Sequence, residues 1–347
     1  MNVLVTGGAG FIGSHFVSYL LETDPECRVV NVDKLTYAAH PDTCLNLERL
    51  APGRYNFVKE DIGSPDIEGL LHRFSIDGIV NFAAESHVDR SILDPSIFVQ
   101  TNIVGVQNLL FLARKNGNIR FIQVSTDEVY GSLSPTESAF EEITPLSPNS
   151  PYAASKASAD LLALACHRTY NQEVLITRCS NNFGPFQFPE KLIPLVIANA
   201  IDDISIPVYG DGKQVRDWIY VRDHCRAISL VLKNGKAGEI YNISAGEERN
   251  NIDLIHRLLQ ILKKPESLIS HVGDRPAHDR RYALNSNKIR RELKWIPETH
   301  FDRGLELTVQ WYLSHQAWWR KVRDAKYYDY YKANYQPKTN SSEGRRS

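Results

Sequence analysis

The chain has 347 residues, with 40 Lys plus Arg against 41 Asp plus Glu and a formal net charge of −1. Its 42% apolar and 23% charged residues are the balance of a globular protein, and the near-neutral charge excludes a general nucleic-acid binder, which carries a strong basic excess. The longest apolar runs fall short of the roughly 18–20 residues that cross a bilayer, which excludes a membrane protein.

Six short runs read as strands: Asn2–Thr6 (NVLVT), Arg28–Asp33, Tyr55–Val58, Gly78–Ala83, Arg120–Ser125 and Val174–Cys179. They are apolar throughout rather than alternating, as strands buried on both faces are. Helices are predicted between them at about 11–23, 65–74, 95–116 and 151–170. The βαβα order predicts a Rossmann-like α/β fold, a doubly wound parallel sheet. After residue 180 the rhythm breaks into Pro/Gly loops, with helices near 190–201, 223–233, 252–263 and 302–315 and strands near 206–209 and 239–243. We expect a smaller mixed α/β unit from 181–216 plus about 244–335, packed on a first unit of 1–180 plus about 217–243. Residues 336–347 are polar and aperiodic, which predicts a disordered tail. The opening MNVLVTGGAG lacks the basic and apolar regions of a signal peptide. Cys27, Cys44, Cys166, Cys179 and Cys225 are widely spaced without a C-x-x-C. That pattern fits neither a disulfide framework nor a zinc site, so no metal and a cytoplasmic setting are expected.

Gly7, Gly10 and Gly13 form G-x-x-G-x-x-G directly after the first strand and open a helix. Glycine permits a tight turn and close approach to a pyrophosphate, and the helix N-terminus offers free N–H groups to the anion. A Gly-rich turn of any α/β protein is the bland alternative, but strand and helix flank this one correctly. Asp33 ends the second strand, where a carboxylate binds both ribose hydroxyls and repels a 2′-phosphate. This points to NAD rather than NADP. Further on, Ser150-Pro151 is a helix start, and Tyr152 and Lys156, four apart, share one face. An ammonium beside a phenol favours the phenolate, so the pair reads as a tuned base. Thr126-Asp127-Glu128 lies at the carboxyl end of a strand, where ligands of open α/β sheets sit. Two adjacent carboxylates there are expected to split their pKa values and divide acid and base roles. For a lone Tyr/Lys pair or acid pair, a solvated surface is the competing reading. Arg216 and Arg275 are the guanidiniums suited to a diphosphate.

TGGAGFIGSH, VDKLTYA, AAESHVDRSI, TNIVG, STDEVYG, SPYAASKA, NNFGPFQFPEKLIPL, YGDG, VRDW and DRPAHDRRYA follow in order. With them the chain resembles the extended short-chain dehydrogenase/reductase superfamily and is similar to its nucleotide-sugar 4,6-dehydratases, most closely the dTDP-glucose 4,6-dehydratase family. The resemblance covers roughly residues 1–320, and the TDE triplet separates it from simple epimerases. The segment between Gly131 and Ser150 is shorter than in some members.

The resemblance implies roles residue by residue. Phe11 and Ile12 would lie on the pyrophosphate loop, Lys34, Leu35 and Thr36 with Asp33 at the ribose, and Asp61 and Ile62 at the adenine. Ala83, Ala84, Glu85, His87, Thr101 and Asn182 would complete the cofactor side. Ser86, Thr126 and Asn181 would touch the sugar nucleotide. Lys191, Leu192 and Val196, Pro207, Val208 and Tyr209, Arg216, Asn251, and Asp274, Arg275, Pro276, Ala277 and His278 would form the diphosphate and base pocket. The implied reaction converts dTDP-glucose to dTDP-4-keto-6-deoxyglucose and water with tightly held, regenerated NAD. Tyr152 takes the 4-OH proton as hydride leaves C4, Glu128 removes the C5 proton, and Asp127 protonates the departing 6-OH. Rival readings are a nucleotide-sugar 4-epimerase, a dehydratase of UDP-, CDP- or GDP-hexoses, and a non-catalytic dinucleotide-binding protein on the same fold. The helices at 95–116 and 151–170 carry apolar residues on more than one face, and family members pair through these helices, so a homodimer is expected.

Overall fold

A computed structural model describes residues 1–347 except 40, 275, 324–326, 329–330 and 332–347. Twelve strands follow one another among the described residues: β1 Asn2–Thr6, β2 Arg28–Val32, β3 Tyr55–Val58, β4 Gly78–Asn81, β5 Arg120–Thr126, β6 Val174–Cys179, β7 Asn181–Phe183, β8 Ile206–Tyr209, β9 Val215–Tyr220, β10 Ile240–Ile243, β11 Glu247–Asn250 and β12 Ile269–Val272. Seven form one sheet in the order β10-β6-β5-β4-β1-β2-β3, every pair parallel. The unbroken apolar strands have the cause the sequence implied. Val3 and Val5 enter one core cluster with the helix Phe11–Thr23, and Leu4 between them enters the cluster on the opposite face. Phe121 and Ile122, and Leu175 and Ile176, divide in the same way.

The strand order reverses between β1 and β4, the switch point beside which such sheets bind ligands at their carboxyl ends. A three-stranded sheet, β11-β9-β7, and a two-stranded one, β12-β8, build the smaller region around a third core that includes Trp218, Leu258, Phe301 and Trp319. Residues 217–220, assigned by sequence to the first unit, lie in β9 and therefore in the three-stranded sheet.

The helices Phe11–Thr23 and Pro151–Tyr170 have the predicted bounds. Ser150 caps the latter, its hydroxyl accepting from the Ala153 N–H at 3.1 Å. The helix expected over 95–116 is not regular. It runs as Ser96–Val99, a π-helical segment Gln100–Gly105, and Val106–Lys115. Gly105 meets Ile62, whose Cδ1 would stand 2.7 Å from an added Cβ. Asn102 accepts from the Glu85 N–H at 2.9 Å and donates to the Glu85 carbonyl and the Ser155 hydroxyl. These contacts fix the widened turn, and such turns gather at functional sites. As one piece, Ser96–Lys115 reaches bilayer length, contrary to the sequence estimate, but half of it is packed inside the protein, as in a core helix. Helices at Pro41–Leu50, Val88–Leu93, Asn287–Leu293 and Gln316–Val322 were not anticipated. The tail 336–347 lies outside the described residues.

His224 is fully buried and shares a 2.9 Å hydrogen bond between Nδ1 and Asn182 Oδ1. Burial pulls its pKa down to about 3. Its ring is therefore neutral in the folded chain and charges in the unfolded chain below about pH 6.5. The unfolded state binds more protons in that window, so His224 costs stability as pH falls. Asp217, raised by burial to about 6, acts in the opposite sense between its ordinary value and 6. The stability difference between the parent and His224→Gln isolates the histidine. It is expected to shift against the parent by up to about 1.4 kcal/mol per pH unit between pH 6 and 4. Parallel urea melts would read this, and a constant difference would refute it.

Candidate active site

Two joined cavities lie over the carboxyl ends of the large sheet. The first, about 310 Å³, is lined by Gly7, Gly10, Phe11, Ile12, Gly13, Asp33, Lys34, Thr36, Asp61, Ile62, Ala83, Ala84, Glu85, Ser86, Thr101, Thr126, Asp127, Glu128, Tyr152, Lys156, Asn181, Asn182 and Lys191 among others. The second, about 170 Å³, is lined by residues that include His87, Leu192, Pro207, Val208, Tyr209, Arg216, Asn251 and His278. Glu128, Asn181, Glu190 and Lys191 line both and mark the junction.

The glycines show what the first cavity is built to take. Gly7 has φ +70°, and a Cβ there would stand 2.6 Å from the Ala83 backbone nitrogen, so protein packing alone demands glycine. Gly13 is held likewise, 2.3 Å from Gly7 O. At Gly10 an added Cβ would meet only Gly7 O, at 3.3 Å. Its lack of a side chain therefore serves the cleft it lines, as close approach of a pyrophosphate to the helix Phe11–Thr23 requires. Asp33 accepts from the Ala9 N–H at 3.0 Å and the Leu35 N–H at 2.8 Å, tying the loop to the end of β2. Burial raises its carboxyl despite those bonds. Lys34 donates to Asp61 and to Thr101, both at 3.3 Å. These features fit a dinucleotide, and Gly10→Val is expected to fold with the parent's melt yet lose bound NAD on purification. Full NAD in that variant would contradict the fit.

Thr126 ends β5, and Asp127 opens the 3-10 turn Asp127–Tyr130. The Thr126 hydroxyl donates to Asp127 Oδ1 at 3.1 Å and accepts from the Glu128 N–H at 3.3 Å. Asp127 is buried, and its Oδ2 has no partner among the described residues. Burial first, then the charges of Glu128 and Asp217, raise Asp127 well above the carboxylate range. That direction favours its protonated form, and Asp127 lines the cleft. Tyr152 lies over the same turn, hydrogen-bonded to Thr126, and its phenol is raised well above 10 by burial and by Glu128.

Lys156 donates to the Val124 carbonyl at 2.7 Å, and burial brings its ammonium down to about 8. In the protein alone, burial thus holds Tyr152 away from the phenolate. Burial drives both groups toward neutrality, so the extra positive charge has to arrive with a ligand.

In the second cavity the Arg216 guanidinium donates to the Val215 and Asp279 carbonyls at 2.8 and 3.0 Å and lies 4.2 Å over the Tyr282 ring. Lys191 reaches across to the Ser86 carbonyl at 2.9 Å.

Several sequence-assigned residues fall elsewhere. His87 lines the second cavity rather than the cofactor cleft, because it stands just before the helix Val88–Leu93, makes no side-chain capping bond to it and turns toward Glu190, 3.9 Å away. Leu35 lines neither cavity and packs half-buried against the first core. Val196 is wholly buried in the third core, on the inner face of Leu192–Ile201. Asp274 lies outside both cavities, bonded to His278 at 2.6 Å and Gln214 at 3.3 Å. Pro276 and Ala277 are exposed and line neither. Arg275 lies outside the described residues.

Sequence reasoning passed over Gln187, Phe188 and Glu190 in the first cavity and Trp218 and Tyr282 in the second. Glu190 and Tyr282 stand inside motifs already singled out, FPEKL and RRYA. A carboxylate between a proline and a lysine was the available signal for the first.

The model of the GDP-mannose 4,6 dehydratase family matches residues 4–308. The chain is 50% identical over 343 residues to the dTDP-glucose 4,6-dehydratase of Xanthomonas campestris pv. campestris (strain B100), covering 93% of this chain and 96% of that protein. The chain belongs to the dTDP-glucose 4,6-dehydratase family. A second member of that family, from Actinoplanes sp., is 49% identical over 329 residues, covering 92% of this chain and 100% of that protein. The dTDP-glucose 4,6-dehydratase of Streptomyces venezuelae, solved with NAD bound, matches with a TM-score of 0.88 at 49% identity, covering 93% of this chain and 100% of that one. A UDP-glucose 4-epimerase from Thermotoga maritima shares the fold at a TM-score of 0.84 but is 28% identical, covering 91% and 100% of the two chains. The fold is thus common to both chemistries, and sequence identity favours the dTDP-glucose 4,6-dehydratase family.

Proposed function

We propose that this chain is a hydro-lyase that dehydrates dTDP-glucose to dTDP-4-keto-6-deoxyglucose, with NAD regenerated in each turnover. The observation that carries the reading is the acid pair: buried Asp127 lines the first cavity, its carboxyl pushed toward the protonated form, and Glu128 stands at the junction of the two cavities. A 4-epimerase has no use for an acid at C6. NAD, when bound, accepts hydride from C4 of the sugar and returns it to C6.

The chain's own residues do the rest. Tyr152 takes the 4-OH proton, and Lys156 holds positive charge beside it. Thr126 hydrogen-bonds the C4 oxygen. Once C4 is a ketone, the C5 proton is acidic, and Glu128 removes it. Asp127, pushed toward its protonated form, gives its proton to the 6-OH, which departs as water, and Glu128 gives a proton back to C5 as hydride returns to C6. Ser86 and Asn181 orient the hexose. Lys191 and Arg216 bind the diphosphate, the latter through planar N–H pairs. His278 assists at the same end, and Asn251, Tyr209 and Leu192 enclose the base. The division into an NAD-binding and a nucleotide-sugar-binding unit is part of this reading.

Incubating the purified protein with dTDP-, UDP-, CDP- and GDP-hexoses tests the reading. A 4-keto-6-deoxy product from dTDP-glucose at the highest kcat/KM is expected, and a UDP-hexose preference would overturn the choice of base.

We also read the chain as a cytoplasmic homodimer. Leu109 and Leu110 are buried within one subunit, whereas Val104, Phe111 and Leu161 are 42%, 45% and 57% exposed. That leaves an apolar face on both helices for a second copy. Light scattering at micromolar concentration is expected to give a dimer mass, and Phe111→Glu with Leu161→Arg a monomer. A monomeric parent would reject the assembly.

A further inference from the structure

The helix bearing Tyr152 and Lys156 and the turn bearing Asp127 and Glu128 come from separate parts of the chain, and something has to hold them in register. One turn beyond Lys156, on the same helical face, stands Asp160, wholly buried. Its Oδ2 accepts from Arg178 Nε at 2.9 Å, with the side chains 0% and 2% exposed. Arg178 precedes Cys179 in β6 and sits opposite Ser125 of β5. Its guanidinium lies 4.7 Å over the ring of Tyr130. Tyr130 closes the 3-10 turn that Asp127 opens, stacks on Phe140 at 4.9 Å, and donates its hydroxyl to Asn242 Oδ1 at 2.8 Å. A continuous buried path thus runs from the base helix through Asp160, Arg178 and Tyr130 to the acid turn. A buried ion pair gives little stability beyond what apolar packing of the same volume would give. Its position between the two halves of the site supplies the better reason for it.

We propose that Asp160 and Arg178 are positioning residues for the reaction: a buried charge pair that locks the Tyr152/Lys156 helix against the acid turn and sets a carboxyl group one turn from the Lys156 side chain. This rests on the dehydratase reading above. Lys156 faces Tyr152 and Asp160 on its own helix, Cys179 on β6 and the Val124 carbonyl on β5, while Asp127 and Glu128 act on Tyr152 from the turn. Burial drains its charge, and the Asp160 carboxylate opposes that loss. Burial raises the Asp160 carboxyl in turn, and Arg178 opposes that by favouring its ionised form. Neither Asp160 nor Arg178 lines either cavity, so both act through Lys156 and Tyr130.

The test is competitive acetylation of the purified protein with acetic anhydride across pH, read at Lys156 by mass spectrometry, beside the pH profile of turnover. The parent is expected to titrate near 8. In Asp160→Asn the midpoint is expected to fall by about one pH unit or more, with the alkaline limb of turnover moving alongside it, and Asp160→Glu is expected to restore part of the shift. Should Asp160→Asn fail to fold, Asp160→Asn with Arg178→Met removes both charges together, a change that buried pairs tolerate, and the same fall is expected. An unchanged Lys156 midpoint, with turnover reduced equally at every pH, would overturn the proposal. Failure of the dehydratase reading looks different: the parent itself would give no 4-keto product, whatever its Lys156 midpoint.

Discussion

Replacing Tyr152 by Phe is expected to stop the reaction at its first step, lowering kcat by about 10³–10⁴-fold, the upper range for one positioned base. The phenol is buried, hydrogen-bonded to Thr126 and raised well above 10 in the protein alone. It becomes a base only when ligand charge joins that of Lys156. Phe keeps the ring and its edge contact with Phe98, 6.4 Å between centroids, so an unchanged melt is expected. With the 4-OH proton retained, no oxidation at C4 follows. Mixing stoichiometric dTDP-glucose with Tyr152→Phe is therefore expected to give no absorbance of reduced cofactor. If such absorbance formed at the parent rate, another base would be at work.

The second large effect separates elimination from oxidation. Asp127→Asn preserves shape and the Thr126 contact but removes the acid that burial and the neighbouring Glu128 and Asp217 charges push toward its protonated form. Dehydration is expected to fall by about 10²–10⁴-fold, whereas oxidation at C4 survives because it does not use that proton. Reduced cofactor then accumulates visibly on adding substrate. Glu128→Gln is expected to behave likewise and, in addition, to slow exchange of the C5 hydrogen with solvent. Rapid-mixing absorbance and mass analysis of the recovered sugar read both outcomes. Parent-rate dehydration by both variants would show that the acid and base of the elimination lie elsewhere.

The parts legible in sequence were those with local causes. Strands β1 to β6 are covered on both faces, so they appear as unbroken apolar runs. The glycine loop, Asp33 and the capped Ser150-Pro151 helix start are each set by a few neighbouring residues. What escaped was made by distance. The π-helical segment follows from contacts of Gly105 with Ile62 and of Asn102 with Glu85 and Ser155, and nothing in QTNIVG announces them. Glu190 becomes a site residue because residues distant in sequence line the cavities with it, and Tyr282 because its N–H bonds to Val215 of β9 and its ring lies under Arg216. Val196 failed for a simpler reason. A helix turns about 100° per residue, so a contiguous motif on Leu192–Ile201 cannot line a cavity along its whole length.

The central claim is that one hydrogen moves from C4 to C6 within a single bound sugar. The most direct test is conversion of dTDP-glucose carrying deuterium at C4, with the product analysed by NMR and mass spectrometry. The expected result is dTDP-4-keto-6-deoxyglucose with that deuterium in the C6 methyl group. A sugar that retains its 6-OH and carries the deuterium back at C4 with inverted configuration would contradict the account.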